Sequence, residues 1–160
     1  MKKITLVLAI VGLTLASACA QSPKKDTQTK EVHHYDIGEH KLNQLDDAEY
    51  YIMVNGGTEA RFSSPLNNEK RAGVYTSPAT GDTLFVSSAK FDSGTGWPSF
   101  DSATDKVGLG PYEQGGREVI EKSTGYHLGH VFFDEGFTSK NKRYCINGDA
   151  LEFIPEKQKK

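Results

Sequence analysis

At 160 residues the chain is long enough for one domain with short accessory segments, and its 25% charged and 36% hydrophobic residues exclude wholesale disorder. Sixteen glycines and six prolines set among short apolar runs argue against a helical bundle and for a loop-rich β protein. A net charge of −2, with no Lys/Arg stripe carrying interleaved aromatics, points away from nucleic acid as a partner.

Residues 1–20 read as an export signal. Lys2 and Lys3 give the positive start, and the apolar run over 4–15 is too short to span a bilayer as a mature helix. The small residues Ala16-Ser17-Ala18-Cys19-Ala20 admit two cleavages. A cut before Cys19 leaves an N-terminal cysteine as a lipid anchor, and the segment resembles a bacterial lipoprotein box with Ala16 where Leu is commoner. The other cut treats Ala18-Cys19-Ala20 as an A-x-A site and discards Cys19. Both predict an exported protein of the cell envelope or periplasm; the first, which we prefer, ties it to a membrane by its lipid alone. Removing Lys2 and Lys3 takes the net charge from −2 to −4. Residues 21–42 are polar without periodicity and read as a flexible tether, with His33 and His34 as solvated tail residues. The domain proper is expected over 43–157.

Within it, Asp46 or Asp47 caps a short helix that runs to about Val54 and stops at Gly56 and Gly57. The turn Thr80-Gly81-Asp82 leads into a strand over 83–87. Next, Gly94 and Gly96 bracket Thr95 and stand the single tryptophan, Trp97, on a tight loop. Trp97 is either a core plug or a wall for a small apolar group such as a thioether methyl. Further strands are predicted over 118–120, 126–133, 143–147 and 151–154, the last two parted by Asn147-Gly148-Asp149. Short strands with few helices make a mainly β, antiparallel, single domain.

Cysteine usage singles out one position. With Cys19 acylated or removed, Cys145 is the one free thiol, and an exported protein normally pairs its cysteines. On a strand, Arg143, Cys145 and Asn147 share one face while Tyr144 and Ile146 take the other. A guanidinium beside the thiol favours thiolate, the nucleophilic form. In His127-Leu128-Gly129-His130, strict alternation would part the two imidazoles, but Gly129 permits a bulge that turns both to one site. Asp134, four residues beyond His130, is placed to orient an imidazole; the two histidines and Asp134 also admit a metal-ligand reading, which we rank lower.

The blocks Gly57-Thr58-Glu59, Ser93-Gly94-Thr95-Gly96-Trp97-Pro98-Ser99-Phe100, His127 to Phe132 and Arg143-Tyr144-Cys145-Ile146-Asn147 stand in the order seen in B-type methionine sulfoxide reductases, and the chain resembles that family over roughly 45–155. The resemblance implies a β-tent of two antiparallel sheets with short helices, which the strand count alone does not name. It implies reduction of methionine-R-sulfoxide in proteins, with Cys145 as nucleophile and His130 as proton donor. His127, Asp134, Arg143 and Asn147 become site partners, and Trp97 the wall for the substrate methyl.

The departures from the family pattern carry their own expectations. Many relatives hold a structural zinc on two Cys-x-x-Cys pairs; here Ser77 with Thr80 and Glu121 with Thr124 take those places, so no zinc is expected. Thr95 stands where many relatives have a resolving cysteine. The Cys145 sulfenic acid left by turnover must then be reduced by an outside thiol, a thioredoxin-like protein or a small thiol. An arginine usual before Glu118-Val119 is shifted, with Gly116 in its place and Arg117 next. No bound cofactor is expected, and the protein is expected to act as a monomer on oxidised proteins. The rival readings are a thiol peroxidase and a non-catalytic envelope lipoprotein that binds oxidised proteins.

Overall fold

The computed structural model describes residues 43–157. The export segment with Cys19, the tether and His33-His34 lie outside the described residues.

Helix α1 spans Asp47–Met53. Its cap is Asp46, whose carboxylate accepts from the N–H groups of Ala48 and Glu49 at 2.9 and 2.8 Å, while Glu49 accepts from the Asp46 N–H at 2.8 Å. This reciprocal box satisfies donors that the first turn leaves open. The helix buries Ile52 and Met53.

Nine strands follow, all paired antiparallel: β1 Gly73–Thr76, β2 Thr83–Val86, β3 Lys90–Phe91, β4 Ser99–Phe100, β5 Val107–Glu113, β6 Gly116–Glu121, β7 His127–Phe133, β8 Lys142–Ile146 and β9 Glu152–Pro155. They form a three-stranded sheet ordered β2-β1-β9 and a six-stranded sheet ordered β3-β4-β8-β7-β6-β5. Three short 3-10 helices complete the described residues. The architecture is mainly β with two antiparallel sheets, as the resemblance implies.

The core lies between the sheets and is aromatic at its centre. Phe100 of the larger sheet stacks on Phe85 of the smaller at 4.4 Å and meets Tyr75 edge-on at 5.0 Å, and all three are fully buried. Such pairs contribute about 0.5–1.5 kcal/mol each beyond the area they bury. Tyr144 and Ile146 of β8 join this core. Alternation then sends Arg143 and Cys145 to the other face of the sheet.

Candidate active site

The register of the larger sheet assembles the site. β8 pairs with β7 so that Cys145 is opposite His130, and with β4 so that Cys145 is opposite Ser99. β6 places Glu118 opposite His130. Directly opposed residues share a face, so Ser99, Cys145, His130 and Glu118 form one row across four strands, turned away from the core. Arg143 is opposite Phe132 on the same face.

Regular alternation would have sent His127 elsewhere. In β6, however, Val119 pairs with Gly129 and the next residue, Ile120, pairs with His127, so β7 carries an extra residue. This is a β-bulge. It buries Leu128 in the core and turns His127 and His130 to one side, with their rings 5.4 Å apart, edge to face. The two-histidine arrangement read from Gly129 is present.

Neighbouring strands supply the carboxylates. His127 donates from Nδ1 to Glu118 Oε1 at 2.8 Å, which leaves the proton off Nε2 in the neutral ring. His130 Nε2 lies 3.4 Å from Glu113 Oε1, within ion-pair range though outside hydrogen-bond geometry. Burial holds the His130 imidazole below its ordinary pKa and His127 acts in the same sense, with Glu113 opposing both. His130 is therefore neutral at rest near pH 7.

Asp134 is not the orienting carboxylate. β7 ends at Phe133, and Asp134 enters the left-handed region at φ 60°, where its N–H bonds Asn141 O at 3.0 Å and its side chain is exposed. The turn carries it out to solvent, away from both rings. Among the described residues no group of three or more His, Cys, Asp or Glu is placed to hold a metal, so the histidines and Asp134 do not gather as ligands.

Arg143 is buried beside the thiol. Its guanidinium lies over the Phe132 ring at 4.6 Å and forks onto both oxygens of Glu135 at 2.8 Å each. Arg143 and Thr95 both pull the Cys145 pKa down, yet burial outweighs them and the thiol sits above its ordinary value. Arg143 thus acts on the thiol in the expected sense, and desolvation outweighs it. Glu135, which the sequence did not single out, fixes the guanidinium and offsets part of its charge.

Asn147 points its amide into the frame. Its Nδ2 donates to Leu128 O at 3.1 Å and its Oδ1 accepts the Glu59 N–H at 3.1 Å, so it clips the loop before η1, Pro65–Asn68, to the bulged strand. Glu59 in turn receives the Trp97 indole N–H on its carbonyl at 3.3 Å. Trp97 is half-buried, with Arg61 over its ring at 5.4 Å. Asn147 and Glu59 thus hold Trp97 in place.

Of the four positions that the resemblance assigns to zinc, three come together. Thr80 and Thr124 hydrogen-bond the two oxygens of the fully buried Glu121 carboxylate, at 2.5 and 2.8 Å, and buried Ser77 accepts the Ala79 N–H at 3.2 Å. One carboxylate whose oxygens are both taken by hydroxyls, with no thiolate or imidazole, does not fit a tetrahedral zinc. The cluster staples the β1–β2 turn to the β6–β7 turn by hydrogen bonds.

Comparison with known proteins decides the family. A family model described as the SelR domain matches residues 45–155. The chain belongs to the SelR domain family. It is 43% identical over 121 residues to the peptide methionine sulfoxide reductase MsrB of Methanosarcina barkeri, covering 72% of this chain and 84% of that relative. It is 40% identical over 118 residues to the protein of the same name from Leifsonia xyli subsp. xyli, covering 71% and 85%, and 36% identical over 118 residues to that of Staphylococcus haemolyticus, covering 71% and 83%. The SelR match takes in every site residue described above.

Proposed function

We propose that this chain reduces methionine-R-sulfoxide in peptides and proteins to methionine, with Cys145 as nucleophile. The observation that carries the reading is the row in which Cys145 faces His130 across β7 and β8, with Arg143 on the same face of β8. Membership of the SelR family and the similarity to methionine sulfoxide reductases support the substrate class.

The resting charges suit the chemistry. A neutral thiol stands in one row with a neutral imidazole, so one mobile proton is present and no net charge is stored. His130 relays that proton from the thiol to the sulfoxide oxygen, and Glu113 at 3.4 Å steadies the imidazolium while it exists. Arg143 stabilises the thiolate as it forms, and the thiolate attacks the sulfoxide sulfur. The sulfur–oxygen bond of the substrate breaks, oxygen passes to Cys145 Sγ, and the proton ends on that oxygen. Cys145 is oxidised by two electrons to a sulfenic acid and methionine leaves. Trp97 receives the methyl group on its ring face.

Two thiols then reduce the sulfenic acid, releasing water and a disulfide. Thr95 stands where many relatives have a resolving cysteine, so both electrons come from outside, from a thioredoxin-like protein or a small thiol. No cofactor is used. The Glu121 staple takes the structural place of zinc. Residues 1–20 support export to the envelope with a lipid on Cys19, and the reductase works there as a monomer.

The test is a reductase assay on a peptide carrying both sulfoxide epimers, with dithiothreitol as donor and Cys145→Ser as control. Loss of the R epimer alone, and only with the Cys enzyme, is expected. Turnover of hydrogen peroxide in preference to sulfoxide, or binding without turnover, contradicts the reading.

A further inference from the structure

Arg61 and Phe62 form an exposed ledge clamped to the loop that carries Trp97. Phe62 holds φ at 64°, in the left-handed region that residues with a Cβ rarely occupy, although its ring is 64% exposed and gains little from burial. Its N–H donates to Gly96 O at 2.8 Å, and a Cβ at Gly96 would meet its ring at 3.0 Å. Arg61 donates from Nε to Thr95 O at 2.8 Å, and its guanidinium carbon lies 5.4 Å from the Trp97 ring centroid and 5.6 Å from that of Phe62. A backbone kept in an unfavourable region at the surface points to use rather than to stability. What it positions is a cation. Arg71 and Arg143 are committed to Glu69 and Glu135, and Arg117 to the Gly110 carbonyl. Arg61 is exposed, and among the described residues no carboxylate pairs with it. Asp92, in the same loop as Trp97, accepts the Gly94 N–H at 2.9 Å, and the buried Glu59 carboxylate takes the Asp149 N–H at 3.1 Å. A guanidinium already anchored at Nε and flanked by two rings has little rotamer freedom left to lose when it binds a carboxylate.

We infer that Arg61 is a specificity-determining residue that selects methionine sulfoxide beside an acidic residue: its guanidinium takes the side-chain carboxylate of an Asp or Glu next to the methionine sulfoxide while the methyl group rests against Trp97. This deepens the proposed function and rests on Trp97 being the substrate wall in that reading. The reach is suitable. Neighbouring residues of a peptide have Cα atoms about 3.8 Å apart, and the guanidinium carbon is 5.4 Å from the centre of the wall. Trp97 and Phe62 keep water from two sides of the guanidinium, which strengthens its pairing with a carboxylate.

The test compares kcat/KM of the full chain on R-sulfoxide peptides that differ at one position, Asp against Asn, placed before or after the methionine sulfoxide. Acetylated and amidated ends remove the terminal charges, so a side-chain carboxylate is the sole variable. A preference for Asp of about two- to fivefold on at least one side is expected, carried by KM and shrinking in high salt. Arg61→Gln should bring the ratio of Asp to Asn to unity, Arg61→Glu should invert it, and Arg61→Lys should keep part of it. A substitution that merely misplaced Trp97 would slow both peptides alike and leave the ratio where it was. Equal kcat/KM for Asp and Asn at both positions overturns the inference, as does a preference that survives in Arg61→Gln. Binding of the same peptides to Cys145→Ser protein is read from the fluorescence of Trp97, the single tryptophan of the sequence. A preference for Asp in binding, with no turnover by the Cys enzyme, refutes the reductase reading alone; turnover without the preference refutes the inference alone.

Discussion

A Cβ at position 129 would lie 2.2 Å from the Cys145 carbonyl oxygen, and Gly129 itself holds φ at +155°. β7 and β8 are therefore closer than any side chain at 129 permits, and the bulge at that approach turns both histidines to one side. Gly129→Ala must part β7 from β8. We expect a loss of at least about 1–3 kcal/mol by urea denaturation and a collapse of activity in the folded fraction. Gly136→Ala is the control for a left-handed backbone alone, since its φ is +74° and a Cβ there meets nothing within 4 Å. Equal costs at the two sites would show that the backbone approach at Gly129 is unimportant.

The acid–base partners give a second prediction. Asp134 is exposed and touches neither imidazole, whereas Glu118 bonds His127 and Glu113 approaches His130. His130→Ala should lower kcat/KM by about 10²–10⁴-fold, as loss of a general acid does. Glu118→Gln should lower it by a smaller factor, and Asp134→Asn should leave it within about threefold of wild type on the same reasoning. An Asp134→Asn enzyme as impaired as His130→Ala would return Asp134 to the mechanism.

The thiol itself gives a third. Burial raises the Cys145 pKa while Arg143 and Thr95 lower it, so its alkylation midpoint should lie above the ordinary thiol value of about 8.5. The sign for Arg143 is fixed by its charge. Arg143→Met removes a stabiliser of the thiolate, and its midpoint should rise further, with alkylation at pH 7 slower than in wild type. A wild-type midpoint well below 8.5, or a fall in Arg143→Met, would show that burial has been overweighted.

Half of this was legible in the residues. The Asp46 and Glu49 box marked α1 because capping is local, and alternation in 143–147 separated Arg143 and Cys145 from the core side chains Tyr144 and Ile146. Gly129 announced the bulge because only glycine tolerates that approach. β5 is not marked in the sequence, because Gly110 and Pro111 look like breakers; they sit where its register against β6 shifts, and a Cβ at Gly110 would meet the Glu118 carboxylate at 2.6 Å. β3 and β4 are two residues each, too short to show a period. The carboxylates of Glu113, Glu118 and Glu135 reach the site through register and loop closure. Sequence spacing carries neither, and it points to Asp134 in their stead.

The staple at Glu121 supplies a fourth prediction. Thr124→Val leaves Glu121 Oε2 buried without its hydroxyl and should cost about 1–3 kcal/mol. We expect elemental analysis of the purified protein to find no stoichiometric zinc, and a chelator to leave the melting temperature unchanged. Zinc near one per chain, with melting lowered by the chelator, would show that the four positions bind metal after all.

The central claim is that Cys145 takes the sulfoxide oxygen and has no partner thiol in the domain to relieve it. One equivalent of methionine-R-sulfoxide peptide, added to the reduced protein without reductant, tests this in a single turnover with a dimedone-type trap and peptide mass mapping. The account predicts one equivalent of methionine released and the trap adduct on the peptide holding Arg143, Cys145 and Asn147, with none formed in Cys145→Ser. Methionine released while Cys145 stays unmodified, or an adduct on any other residue, would contradict it.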